Sequence, residues 1–332
     1  MYKVVSLFSG CGGADQGITG NFVFNKKKYE RLPFELVYAT DIDKKALNSH
    51  MKNFKCEKVV CKDICETSSE EIPDCDIVVG GFPCQSFSTV NPTKDPFDDR
   101  ANLYRQMVRV VKDKQPKVFI AENVKGMMTL HKGQIFKRII KAFEEAGYKT
   151  YTRLINAADY GVPQKRERVI IVGIRNDLNA IMEYSFPDET NKNSWVPLSV
   201  AVPQLAIDQE KYYFSERAVQ GMKNAKNNMK RGLYQDLDKP CLTVTSHLAK
   251  VSLNSRDPVL LVDPDKELYR RFTPQEAARI QSFPDTFIFA GSEADAYRQI
   301  GNAIPPVMFW HIANSIKKYL EMVEMAECEE AI

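Results

Sequence analysis

Five short runs, Val4 to Phe8, Leu36 to Ala39, Ile77 to Val79, Val118 to Ala121 and Val169 to Val172, set the tightest limit on how this chain folds. They are apolar almost throughout instead of alternating with polar residues, so each reads as a strand buried on both faces. Between them, Lys44 to Phe54, Leu103 to Lys114 and Gln134 to Ala146 carry apolar residues at helical spacing. Strands alternating with helices predict an α/β fold built on a doubly wound, mostly parallel sheet. Ligands of such sheets sit beyond the carboxyl ends of the strands, so the residues that close each run are where chemistry is expected.

The alternation stops after Arg175. From there the chain is rich in Asn, Pro and Lys with weak periodicity through Asn254, which predicts a second, smaller and irregular domain. We expect residues 1–175 and 300–332 to form one domain and residues 176–299 the other, with a helical segment at Thr273 to Ser282 and a closing amphipathic helix at Val307 to Met322. A length of 332 residues accommodates both. The formal charge of +3 excludes little, but its distribution is uneven. Between Arg217 and Arg256 eight basic side chains face only Asp236 and Asp238, a local surface of the kind phosphates attract. The amino terminus lacks the pattern of a secretory signal and no apolar run reaches membrane-spanning length, so a cytoplasmic protein with reduced cysteines is expected. Cys56, Cys61, Cys65 and Cys75 contain no CxxC pair, and no metal site is expected.

Several run ends carry reactive or ligand-binding residue types. Phe8-Ser-Gly-Cys-Gly-Gly13 is a glycine-rich turn that would let backbone approach a bound molecule, although tight geometry alone also explains it. The next run ends at Asp41-Ile-Asp43, where a carboxylate could hold the two hydroxyls of a ribose. Lys62-Asp63-Ile64 offers an acid and an apolar face suited to an adenine, or a surface turn. Together they suggest a nucleoside cofactor, and the absence of a phosphate-binding lysine motif suggests one without phosphates. Gly80-Gly-Phe-Pro-Cys-Gln-Ser-Phe-Ser88 sets Cys84 behind a proline and before polar residues, unlike the apolar neighbours of an inert core cysteine. Ala121-Glu-Asn-Val124 puts Glu122 on the same edge, as a proton donor or an ordinary salt-bridged acid. In Gln164-Lys-Arg-Glu-Arg-Val169, strand alternation sends Arg166 and Arg168 to one face, where they could anchor an anion or a base carbonyl.

FSGCGG, GGFPCQSFS, ENV, QKRERV, RRFTPQEAARIQSFP and IGNAIPP, in this order and over nearly the whole chain, resemble the DNA (cytosine-5)-methyltransferases of the bacterial restriction and modification type. The resemblance implies a Rossmann-like, S-adenosylmethionine-dependent methyltransferase domain with a smaller target-recognition domain. It implies that Phe8, Ser9, Gly10 and Gly13 hold the methionine part of S-adenosyl-L-methionine, Asp41 the ribose, Ile42 the adenine face, and Asp63 with Ile64 the adenine edge. Pro83 and Leu103 would close the pocket, completed by Asn302, Ala303 and Ile304. Ile42 stands where members often carry an aromatic residue, and the stretch from Phe22 to Phe34 lengthens the loop before Asp41.

The implied reaction transfers a methyl group to C5 of a cytosine flipped out of double-stranded DNA, leaving S-adenosyl-L-homocysteine. Cys84 would attack C6, Glu122 serve N3, Arg168 hold the base carbonyl and Arg166 support the anionic groups. Gln85, Ser88 and Arg100 would meet DNA from the loop after the cysteine. Thr243 and Thr245, in a Leu-Thr-Val-Thr-Ser element, are candidates for sequence readout, though interior strand threonines would look similar. A monomer without membrane association, accompanied by a restriction endonuclease acting on the same sequence, completes the expectation. A transfer-RNA cytosine methyltransferase of the same fold and a catalytically silent DNA-binding regulator are the alternatives.

Overall fold

The structure, a computed structural model, describes residues 1–83, 103–224, 234–250 and 258–330; Cys84, Gln85, Ser88 and Arg100 lie outside the described residues. The strands are β1 (Tyr2–Leu7), β2 (Phe22–Phe24), β3 (Lys27–Tyr29), β4 (Phe34–Asp41), β5 (Lys58–Cys61), β6 (Ile77–Gly80), β7 (Val118–Val124), β8 (Tyr148–Asn156), β9 (Gln164–Lys165), β10 (Glu167–Arg175), β11 (Cys241–Leu242), β12 (Leu260–Asp263) and β13 (Leu268–Arg270). The helices are α1 (Gly13–Thr19), α2 (Lys44–Asn53), α3 (Tyr104–Lys114), α4 (Gln134–Glu145), α5 (Asn176–Ile181), α6 (Glu216–Asn224), α7 (Pro274–Ile280), α8 (Glu293–Asn302) and α9 (Pro306–Glu330).

All five expected strands lie in one seven-stranded sheet of order β5-β4-β1-β6-β7-β10-β8. Pairings from β5 to β7 are parallel, whereas β10 runs antiparallel to both β7 and β8. The apolar runs divide by parity. Val4, Ile77, Val79, Val118, Ile120, Ile170 and Val172 face a core shared with Ile18 of α1 and Phe309, Ile312 and Ile316 of α9. Val5, Val78, Phe119, Ala121, Val169 and Ile171 face Met107 and Val111 of α3 and Ile139 and Phe143 of α4. Covering both faces is what makes the runs continuously apolar.

Among the elements that went unread in the sequence are an edge strand, a hairpin and a helix beside the site. β8 is the edge strand and half solvent-exposed, so Tyr148 to Asn156 shows no apolar run. The stretch from Phe22 to Phe34 contains a β2–β3 hairpin whose turn residues Asn25 and Lys26 have φ of 45° and 62°, the left-handed geometry of a two-residue hairpin turn. α8 is mostly polar outside, and its start is fixed by a capping box between Ser292 and Asp295.

A third apolar cluster gathers Leu198, Val244, Leu260, Phe272, Phe283, Tyr297 and Ile300 with Cys11 and Ala303 from the loops at the sheet edge. Its polar anchor is Arg270, fully buried, whose guanidinium makes two 2.7 Å bonds to Glu276 and others to the carbonyls of Leu205 and Gln204. Glu276 also accepts from the backbone N–H of Thr273, completing the capping box that starts α7. Leu178 and Tyr184 instead pack in the first core, beside α9.

Two predictions follow from this packing. α1 crosses α9 with no clearance at Gly17, where a Cβ would lie 2.7 Å from both Phe309 Cβ and the Pro306 carbonyl. Gly17→Ala should cost about 1–3 kcal/mol of stability, measured as a lowered urea midpoint. His311, buried against Tyr29 and Tyr160, has its pKa pushed by burial, with help from Lys27, from 6.5 down to about 4. The unfolded chain then binds a proton that the native state refuses. Stability is complete at neutral pH and falls as pH drops from about 6.5 to about 4, by up to ~3 kcal/mol. His311→Phe should flatten that slope in denaturation midpoints measured between pH 7 and 4.5.

Candidate active site

The loop leaving β1 owes its shape to residues in the left-handed region, with φ of 54° at Phe8, 54° at Gly10 and 94° at Gly12. It is tied to the end of β4 by Ser9 N–H donating to the Thr40 carbonyl at 3.0 Å and Gly10 N–H donating to Asp41 at 2.9 Å. The second Asp41 oxygen accepts from the Asp43 backbone at 2.8 Å. Burial raises the Asp41 pKa, and these amides oppose the rise. Gly13 abuts the returning chain, since a Cβ there would stand 2.4 Å from the Ile304 carbonyl. A side chain at Gly13 would push the two walls apart.

Between these walls lies a cavity of about 560 Å³ at the carboxyl ends of the parallel strands. Every residue that the resemblance assigned to the cofactor borders it: Phe8, Ser9, Gly10, Gly13, Asp41, Ile42, Asp63, Ile64, Pro83, Leu103, Asn302, Ala303 and Ile304. Ile42 is 74% exposed there and presents an apolar surface. Asp63 also caps a short helical turn by accepting from Cys65 N–H. The sequence did not signal Arg298, which reaches from α8 to Asp43 at 3.0 Å on the cavity rim. Nothing in local spacing links two residues so far apart in the chain.

Glu122 and Arg168 stand on adjacent antiparallel strands and form an ion pair of 2.8 Å, each side chain about one-eighth exposed. Both border the same cavity. Gly81, three positions before Cys84, is packed so that a Cβ would lie 3.3 Å from Glu122 Oε2. Asn123 Nδ2 donates to the Phe82 carbonyl at 2.8 Å, which pins the backbone as it leaves β6. Asn123 is a functional candidate missed in the sequence, where the Glu-Asn-Val motif was read for its acid alone.

Arg166, expected to support the anionic groups, borders the same cavity and feels the charge of Glu122. Its side chain is buried, and the guanidinium donates to the carbonyls of Val244, Gly301 and Ala303 at 3.0, 3.1 and 3.0 Å. Burial, followed by the charge of Arg168, drives its pKa well below the ordinary arginine value. Strand alternation correctly put Arg166 and Arg168 at one edge, but three backbone acceptors claim the first of them. Thr243 borders a neighbouring cavity of about 470 Å³ with Lys125, Lys165 and Arg168, and its hydroxyl donates to the Lys165 carbonyl. Thr245 Oγ1 accepts from the His247 backbone.

The family profile described as C-5 cytosine-specific DNA methylase matches residues 2–318. The chain is 37% identical to Type II methyltransferase M.FnuDI of Fusobacterium nucleatum, covering 96% of this chain and 95% of that one. It is 36% identical to Type II methyltransferase M.NgoFVII of Neisseria gonorrhoeae, over 95% and 86%. Among solved structures, the S. pombe Dnmt2 methyltransferase superposes with a TM-score of 0.72 at 18% identity, over 97% of this chain and 99% of that one, a likeness of fold. A profile spanning almost the whole length and relatives above one-third identity leave one assignment: the chain belongs to the C-5 cytosine-specific DNA methylases, enzymes that methylate cytosine at C5 in DNA.

Proposed function

We propose that the 560 Å³ cavity binds S-adenosylmethionine and that Cys84, Glu122 and Arg168 act on a flipped cytosine at its open side. The observation that carries this reading is that the Glu122–Arg168 pair borders the same cavity as Asp41 and Ile42. The fit to the cofactor is chemical. Asp41 offers a desolvated carboxylate to ribose hydroxyls, Ile42 an exposed apolar face to a flat ring, and Gly10 a backbone with open space where a side chain would intrude. S-adenosylmethionine supplies an electrophilic methyl group.

Cytosine C5 is a poor nucleophile until the ring's conjugation is broken. Cys84 adds as a thiolate to C6, forming the S–C6 bond, while Glu122 hydrogen-bonds or protonates N3 and so draws the displaced electron pair into an enamine. C5 then takes the methyl group. Loss of the C5 proton to a base and expulsion of the Cys84 thiolate restore the ring, and N3 returns its proton to Glu122. Arg168 orients Glu122 and supplies positive charge toward the base carbonyl. Arg166, on the same cavity, holds the backbone of its wall. Residues 176–299, with Thr243 beside the second cavity and Thr245 two positions on, read the duplex, and Gln85, Ser88 and Arg100 contact it around the flipped base. The Type II relatives favour a companion endonuclease that cuts the same sequence.

Transfer of labelled methyl from S-adenosylmethionine to duplex DNA, run beside transfer RNA, tests the reading; label in RNA alone would overturn the choice of substrate. Glu122→Gln should lower kcat by about 10²- to 10⁴-fold while leaving the Kd of S-adenosylhomocysteine nearly unchanged. Asp41→Ala should show the reverse split, weakening that Kd by about tenfold or more through the loss of charge-assisted bonds. With 5-fluorocytosine DNA the wild-type protein should form a covalent adduct, and a Cys84→Ala protein that still forms it would remove Cys84 from its role.

A further inference from the structure

Gln164 of β9 and Arg166 just after it hold the backbone N–H and carbonyl of one residue, Val244, in the Thr-containing element. Gln164 Oε1 accepts from Val244 N–H at 2.7 Å and Arg166 donates to the Val244 carbonyl at 3.0 Å, while Val244 itself is fully buried. Both side chains continue to the cavity wall. Gln164 Nε2 donates to Gln281 at 2.8 Å, and Gln281 Nε2 donates to the carbonyls of Ile300 at 2.6 Å and Ala303 at 3.2 Å. Arg166 reaches the carbonyls of Gly301 and Ala303 directly. The contact is also steric, because a Cβ on Gly301 would lie 2.2 Å from the Thr245 carbonyl carbon. Gly301 and Ala303 border the cofactor cavity, and Thr243 borders the neighbouring one.

We infer that Gln164, Arg166 and Gln281 are positioning residues that couple duplex binding at the 243–245 element to cofactor binding at the 301–304 wall. This rests on the function proposed above. Gln164 and Gln281 are wholly buried and Arg166 nearly so, so breaking any of these bonds strands a polar group without water. Val244 can therefore shift only if the partners shift with it, and they end on carbonyls of the cavity wall. Among the described residues, Arg166 Nε is also buried and has no acceptor. Coupling of this kind is reciprocal.

The test is calorimetric titration of S-adenosylhomocysteine with and without a saturating duplex carrying the methylated sequence, and of that duplex with and without S-adenosylhomocysteine. Wild-type protein should show at least about fivefold tightening, equal in both directions. Gln281→Met keeps the side-chain volume but not the bonds; it should bind each ligand alone within about threefold of wild type and reduce the tightening below about twofold. A merely structural role would weaken both affinities and leave the factor unchanged, which would overturn the inference, as would independent binding in the wild type. Gln164→Met cuts the network on its other side and gives the same readout should Gln281→Met not fold. Failure of wild-type protein to bind either ligand would sink the function reading and the coupling with it, whereas binding without coupling sinks the coupling alone.

Discussion

The antiparallel pairing of β10 with β7 is the constraint on which the site depends. β7 and its parallel neighbours deliver their carboxyl ends to one edge of the sheet, and with them Asp41, Gly81 and Glu122. A parallel β10 would bring its own carboxyl end, Arg175, to that edge. Running the other way, it brings its amino end, so Arg168 pairs with Val124 in register and meets Glu122, which pairs with Ile170 two residue pairs further along. The preceding residues, Gln164 to Arg166, then fall between the sheet edge and the third cluster, where they join the two.

Burial and charge are used differently on the two sides of that junction. At the cavity edge, Glu122 and Arg168 keep about one-eighth of their surfaces exposed. Behind it, Arg166 and Arg270 are buried and spend their donors on carbonyls or on Glu276. A buried guanidinium with fixed acceptors makes a rigid joint, because any displacement exposes unsatisfied groups. The catalytic edge therefore stands on a frame whose polar contacts are largely backbone and insensitive to the identity of surface residues.

Much of this was legible in the chain. The five apolar runs gave the sheet because burial on both faces leaves a composition that solvent-facing strands lack, and the same rule hid β8, half of whose surface meets solvent. Candidate cofactor residues were legible because strand ends in this class of fold share an edge, whatever their separation in sequence. Arg298, Asn123, Gln164 and Gln281 were not, since each acts through a partner fixed only by tertiary contact: Asp43, the Phe82 carbonyl, Val244 and the Ile300 carbonyl. Arg166 shows the limit most clearly. Alternation put it at the correct edge, but the chain carries no mark of the three carbonyls that hold it.

The sequence by itself determined the class of fold, the order of its motifs and the residue types available for thiol addition, proton transfer and nucleoside binding. These follow from local rules, namely the period of apolar residues, the turn chemistry of glycine and the nucleophilicity of a thiol. Only the tertiary structure decided which arginine faces Glu122 and which is enclosed, and that the side chains holding the N–H and carbonyl of Val244 also reach the cavity wall. Hydrogen bonds between residues some 80 to 140 positions apart leave no periodic trace, because their geometry exists only once the sheet has brought the segments together.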